Sequence, residues 1–153
     1  MLAKIARFDP DKRWIASVEI AAEMKRRGAN PLLVARGGLE PHGNDVMRRA
    51  AELGLRAVDR ELRDAGGAGL VDALSVLEEF DLVNLRSHVD PQARRLLLAR
   101  ADAVLANSGH EPFGLVGLEA MAVEGLACTG CTGEEYAHSG RNALVLQTGD
   151  PRE

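Results

Sequence analysis

Short apolar runs alternate along the chain with longer segments in which apolar residues recur every three or four positions. The runs predict strands over 1–6, 31–35, 55–58, 81–86, 103–106, 125–129 and 140–146. They are too short for helices and are bounded by turn residues. The periodic segments predict helices over 13–27, 44–54, 70–79, 91–100 and 113–124. Gly28 stops the first of these, Leu70, Val71, Leu74 and Leu77 share a face of the third, and Asp90 and Pro91 form the N-cap and N1 pair of the fourth. Strands joined by crossovers of ten or more residues pair in parallel, and a parallel sheet needs cover on both faces. The expected fold is therefore α/β, a Rossmann-like parallel sheet with helices on both faces, in one domain over 1–153.

Composition adds little to this pattern but excludes several classes. At 153 residues the chain is long enough to bury a sizeable core, and with 3% aromatics that core must be built from Leu, Val and Ala. A net charge of −4 argues against nucleic acid or a membrane surface as partner, so any phosphate binding must be local. No apolar run is long enough to span a bilayer and the N-terminus lacks a secretory pattern, which makes a cytoplasmic location the expectation. Cys128 and Cys131 are spaced like a redox pair or half a zinc site, but there is no second cysteine pair. They read as small residues in a buried strand and the turn after it, and no metal is expected.

The stretch 107–122 carries the most chemistry. Pro112 disfavours a helical conformation at Glu111, which places Glu111 in the loop after the 103–106 strand, while Glu119 falls inside the following helix. Two carboxylates then flank a helix N-terminus whose free N–H groups favour an anion, and Gly114 lets a ligand approach that backbone. Glu119 has apolar neighbours on almost every side and needs a hydrogen-bond partner. By spacing alone, Glu111 reads equally well as a solvated loop residue and Glu119 as a carboxylate satisfied by a neighbouring cation. Arg7 and Lys12, on the loop leaving the first strand, suit a diphosphate and also suit a solvated surface. The glycine-rich exit 36–43 is neither a P-loop nor a dinucleotide fingerprint, His42 and His88 read as loop histidines, and the loop 60–69 reads both as a lid and as a plain insertion.

The wording of the stretch is more specific than its spacing. Glu111-Pro-Phe-Gly-Leu-Val-Gly-Leu-Glu119-Ala-Met-Ala resembles the Glu-x7-Glu signature of retaining GT-B glycosyltransferases of the glycogen synthase, sucrose synthase and bacterial mannosyltransferase type. The resemblance extends over the whole chain and covers the C-terminal, donor-binding domain of that family. It implies that Arg7 and Lys12, five residues apart, bind the diphosphate of a nucleotide-sugar donor. It also implies that Glu111 orients the transferred sugar through its hydroxyls, that Glu119 holds the ribose, and that the amides near Gly114 and Leu115 meet the phosphate, with no metal or other cofactor. Asn84, Leu85 and Arg86 fall where the family holds the base, largely through backbone, and Glu135 where it has a carboxylate after the 125–129 strand. Thr132 and Gly133 replace the family's usual glycine pair there.

The resemblance further implies that an acceptor-binding domain precedes residue 1 and that more helices follow residue 153, so the chain is expected to be a fragment with an exposed interface able to associate with itself. Two readings stay open: a glycosyltransferase domain acting with retention of configuration, or a donor-binding module that needs a separate acceptor domain or subunit for turnover. A sugar-nucleotide epimerase lacks support for want of a dinucleotide fingerprint, and a phosphorylase-like protein for want of a cofactor-lysine motif.

Overall fold

The computed structural model describes residues 1–75, 79–111, 113–130, 135–148 and 150–152. Leu77, Pro112, Cys131, Thr132 and Gly133, all used in the sequence reading, lie outside them. The strands are β1 Leu2–Ile5, β2 Leu33–Arg36, β3 Ala57–Arg60, β4 Leu82–Leu85, β5 Ala103–Ala106, β6 Ala127–Thr129 and β7 Ala143–Val145. The helices are α1 Trp14–Arg26, α2 His42–Glu52, α3 Gly67–Leu74, α4 Pro91–Arg100 and α5 Leu115–Ala122. All seven strands pair in parallel in the order β3-β4-β2-β1-β5-β6-β7. The α/β, Rossmann-like expectation holds.

The two-residue period of the strands sorts their side chains between two cores. Leu2, Leu33, Ala35, Leu82, Leu105 and Cys128 pack on one face, where Trp14, Val18 and Ala21 of α1 and Val46 and Ala50 of α2 meet them. Ala3, Val34, Val83, Leu85, Val104 and Ala127 pack on the other, under Leu70 of α3, Ala93, Leu97 and Leu98 of α4, and Ala120 of α5. Small side chains at Ala3, Ala35 and Ala127 let the helices lie close, so Leu, Val and Ala fill the core with Trp14 as its largest buried member. The Cys128 thiol is buried there, and burial pushes its pKa up.

Several boundaries differ from the sequence reading for local reasons. Arg13 is in the left-handed region at φ 49°, where the chain kinks out of a 3-10 turn over Pro10–Lys12, so α1 starts one residue later than the pattern suggests. Pro41, at φ −56°, is already in helical conformation, so α2 starts at His42 and that histidine is a helix residue rather than a loop residue. α3 starts at Gly67 rather than 70 because the Asp64 carboxylate accepts from the amides of Gly66 (2.7 Å) and Gly69 (3.1 Å). A Cβ on Gly69 would stand 2.2 Å from the Asp64 carbonyl oxygen, which is why this turn needs glycine. The 60–69 loop is also tied to the β4–α4 connection, through Leu62 N to Ser87 Oγ (2.8 Å) and Asp90 N to the Ala65 carbonyl (2.9 Å).

At the opposite edge of the sheet from the strand C-termini, Asp81 is fully buried just before β4. Its carboxylate accepts from Lys25 Nζ of α1 (2.8 Å) and from the backbone amide of Arg56 (2.7 Å). It thereby ties α1 and the entry to β3 onto the central sheet. Burial pushes its pKa up, but Lys25 and the Arg56 amide and guanidinium outweigh that and hold it below the usual carboxylate range.

Candidate functional site

The chain leaves β1 towards β2 and later returns from β4 to β5, so the sheet order reverses between β1 and β5. In open α/β sheets the crevice for ligands opens at the C-terminal ends of strands flanking such a point. Here the loop after β1 and the loop after β5 meet. Gly109 N donates to the Asp11 carbonyl (2.7 Å), and Lys12 Nζ pairs with Glu111 Oε2 (2.5 Å). Underneath, Asn107 Oδ1 accepts from Lys4 Nζ (2.6 Å) and from Ser17 Oγ (3.2 Å), joining β1, α1 and the end of β5.

A cleft of about 250 Å³ lies between these loops, lined by Lys4, Lys12, Ser108, Glu111, Gly114 and Arg94. Its end wall is the start of α5. Gly114 is the N-cap, with no side-chain cap; the Leu115 N–H donates to the Phe113 carbonyl (3.0 Å), and the first turn of this eight-residue helix borders the cleft. Tyr136 Oη donates to the Gly114 carbonyl, and the Tyr136 ring stands edge-on to Phe113 at 6.1 Å. A Cβ on Gly117 would come within 2.5 Å of Tyr136 Oη, so the glycine makes room for the tyrosine that holds the turn.

A second cleft, of about 440 Å³, continues on the α3–α5 side, with Arg7, Arg36, His88 and Arg94 around Ile5 and Val116. Arg94 belongs to both clefts, and its guanidinium pairs with the Glu119 carboxylate. Glu119 is thus satisfied by a cation 25 residues away in sequence, and both it and Arg94 remain more than a third exposed.

The structure brings Lys12, Glu111, Gly114 and Leu115 together around the first cleft. Arg7 lines the second instead, while Ile5 and Ala6 line both, and the Arg7 carbonyl accepts from Trp14 Nε1 (2.7 Å). Arg86 points to a third, smaller cavity on the α1–α2 side and pairs with Asp59 (3.2 Å). Val89 and His88, a few residues further on, line the second cleft in its place. Glu135 is exposed beside Tyr136 and outside the lining of both clefts. Three residues were missed in the sequence: Arg94, Tyr136 and Lys4. Only Lys4 left a signal, as a lone charge inside an apolar strand.

The sequence matches no protein-family model and no curated protein. Solved structures do share the fold. The C-terminal domain of a glycosyl transferase group 1 family protein from Francisella tularensis aligns with 99% of the chain at 16% identity, with a TM-score of 0.71 over 69% of its own length. Sucrose-phosphate synthase from Thermosynechococcus elongatus aligns over 99% at 21% identity and TM-score 0.65. A UDP-forming α,α-trehalose-phosphate synthase from Burkholderia xenovorans aligns over 99% at 12% identity and TM-score 0.64. The chain spans 33% of the length of each synthase. At these identities the likeness establishes the fold: a seven-stranded parallel sheet of the kind found in the C-terminal domains of GT-B glycosyltransferases.

Proposed function

We propose that this domain binds a nucleotide-diphosphate sugar and serves in transfer of its glycosyl group with retention of configuration. The observation that carries the reading is the convergence of Lys12, Glu111 and the uncapped start of α5 at the reversal point of the sheet. Solved relatives in fold support it by what they are: one is a UDP-forming synthase, and another is described as bound with UDP-2-fluoro glucose.

The chemistry follows from the groups at hand. When the bond from the anomeric carbon to the diphosphate breaks, negative charge grows on the leaving phosphate, and fixed donors placed in advance stabilise it most. Lys12 and the amides near Gly114 at the start of α5 are those donors, with the Leu115 N–H exchanging its bond to the Phe113 carbonyl for the phosphate. Arg7 approaches the same diphosphate from the neighbouring cleft. Glu111 exchanges its contact with Lys12 for hydroxyls of the transferred sugar, and Glu119, oriented by Arg94, accepts from the ribose hydroxyls. The nucleoside then lies along the second cleft, past Arg94 towards His88 and Val89. No metal enters this scheme.

Because the chain spans a third of each synthase, turnover is a separate part of the proposal. A reacting hydroxyl must be held against the sugar by a second wall. We assign that wall to an acceptor domain or subunit, so that this chain on its own binds donor and transfers poorly.

Calorimetric titration with UDP, GDP and ADP tests the reading. One of the three binds, and Lys12→Ala and Glu119→Ala each weaken it at least tenfold, about 1.4 kcal/mol. A folded chain that binds none of them contradicts it.

A further inference from the structure

Lys4 occupies a position where an aliphatic side chain would normally pack. It lies in the middle of β1, paired in register with Ala35 of β2, and is 1% exposed. Its Nζ donates to the Leu105 carbonyl (3.1 Å) and to Asn107 Oδ1 (2.6 Å) and stands 5.3 Å from the centre of the Trp14 ring. Among the described residues no carboxylate pairs with it; the ion pairs of this region are those of Lys12 with Glu111 and Arg94 with Glu119.

A buried ammonium without a counter-ion is held in its charged form only weakly. The charged groups facing Lys4 make this worse. Lys12 and Arg13, from the loop after β1, repel it, and Glu111, from the loop after β5, is already held by Lys12. The remaining neighbours, Ala35 on β2, Leu105 on β5, and Trp14 and Ser17 on α1, carry no charge. Burial, with Lys12 and Arg13 adding to it, pushes the Lys4 amine down to about 7. A neutral amine has two N–H groups, and the Leu105 carbonyl and Asn107 Oδ1 accept both.

Lys4 also lines the first cleft with Lys12 and Gly114. Resting on the donor-binding reading above, we propose that Lys4 takes up one proton from solvent when a diphosphate seats beside Lys12, and so becomes the buried cation of the anion subsite. The anion offsets the repulsion from Lys12 and Arg13 and favours the charged amine, and no covalent bond to Lys4 forms or breaks. A cation in a low-dielectric wall stabilises a growing charge more than one in water. Lys4 thus strengthens the subsite only when it is occupied.

The chain has three lysines, Lys4, Lys12 and Lys25, so a sample labelled with ¹³C at lysine Cε gives three titration curves. They are recorded with and without UDP-glucose, GDP-mannose and ADP-glucose, diphosphodiesters with no group that titrates near neutrality. Lys4→Met assigns its own signal by its loss, and if that variant does not fold, Lys12→Met and Lys25→Met assign Lys4 by elimination. The expected result is a Lys4 midpoint near neutrality in the chain alone, moving up by about one pH unit or more with the nucleotide sugar that binds. A Lys4 midpoint near about 10 in the chain alone overturns the inference whatever binds. So does a low midpoint that stays in place when a nucleotide sugar binds. If none of the three binds, the donor-site reading fails and the coupling fails with it.

Discussion

At the residue scale, each group in the cleft is defined by the element that faces it across the crevice. Lys12 faces Glu111, Arg94 faces Glu119, and Tyr136 holds the Gly114 carbonyl. Tyr136→Phe removes a hydrogen bond and leaves the ring in place, and it is expected to cost about 1 kcal/mol of stability by urea denaturation. Lys4 gives a pH dependence. Its folded pKa is lowered to about 7, so from there up towards the ordinary lysine range the unfolded chain holds a proton that the folded chain lacks. Stability therefore rises with pH, by up to about 1.4 kcal/mol per unit over this window. Urea midpoints measured between about pH 7 and pH 9 should climb for the natural chain and stay flatter for Lys4→Met. The loop position of Glu111 and the helix position of Glu119 were legible in the sequence from Pro112 and the apolar period, and Lys12 from the turn-rich loop after the first strand, although Glu119 lines neither cleft. Arg94 and Tyr136 were not, since nothing local says which residue of a neighbouring element reaches a given carboxylate or carbonyl.

At the element scale, the alternation of short apolar runs and periodic segments was enough to place all seven strands and five helices to within a few residues. The errors fall at ends set by side-chain chemistry: Asp64 capping α3, the helical Pro41 before α2, and the left-handed Arg13 before α1. Strand order was not legible, because a crossover of given length reaches either side of the sheet. Arg7 and Lys12, both expected at a diphosphate, leave β1 on one loop but line different clefts, which share Ile5 and Ala6. The elements are anchored away from the site by Asp81. Asp81→Ala is expected to lower stability by about 3 kcal/mol, because the Arg56 amide and Lys25 lose their acceptor inside the fold. The folded pKa of Asp81 is depressed, so its contribution is present above the ordinary carboxylate range and is lost as pH falls below about 4. Urea unfolding from about pH 6 down to pH 3 should show a smaller acid loss in Asp81→Asn than in the natural chain.

At the scale of the molecule, the fold places two joined clefts and their basic groups at one end of the sheet. The chain carries a net charge of −4, so this positive end is a local arrangement rather than a property of the composition. No helix among the described residues is long and apolar enough to cross a membrane. Phe113 and Leu115 are 58% and 60% exposed at the mouth of the first cleft, where the proposed acceptor wall would pack. In its absence two copies are expected to associate through this surface, and sedimentation equilibrium should show concentration-dependent association that weakens in Leu115→Ser.

The most direct test of the account is a crystal structure of the chain with the nucleotide sugar that it binds in titration. The diphosphate is expected in the first cleft, with an oxygen within about 3 Å of Lys12 Nζ and of an amide at the start of α5, and the nucleoside is expected to run past Glu119 into the second. A nucleotide sugar seated elsewhere on the sheet, or in the cleft with its diphosphate away from Lys12 and α5, would contradict it.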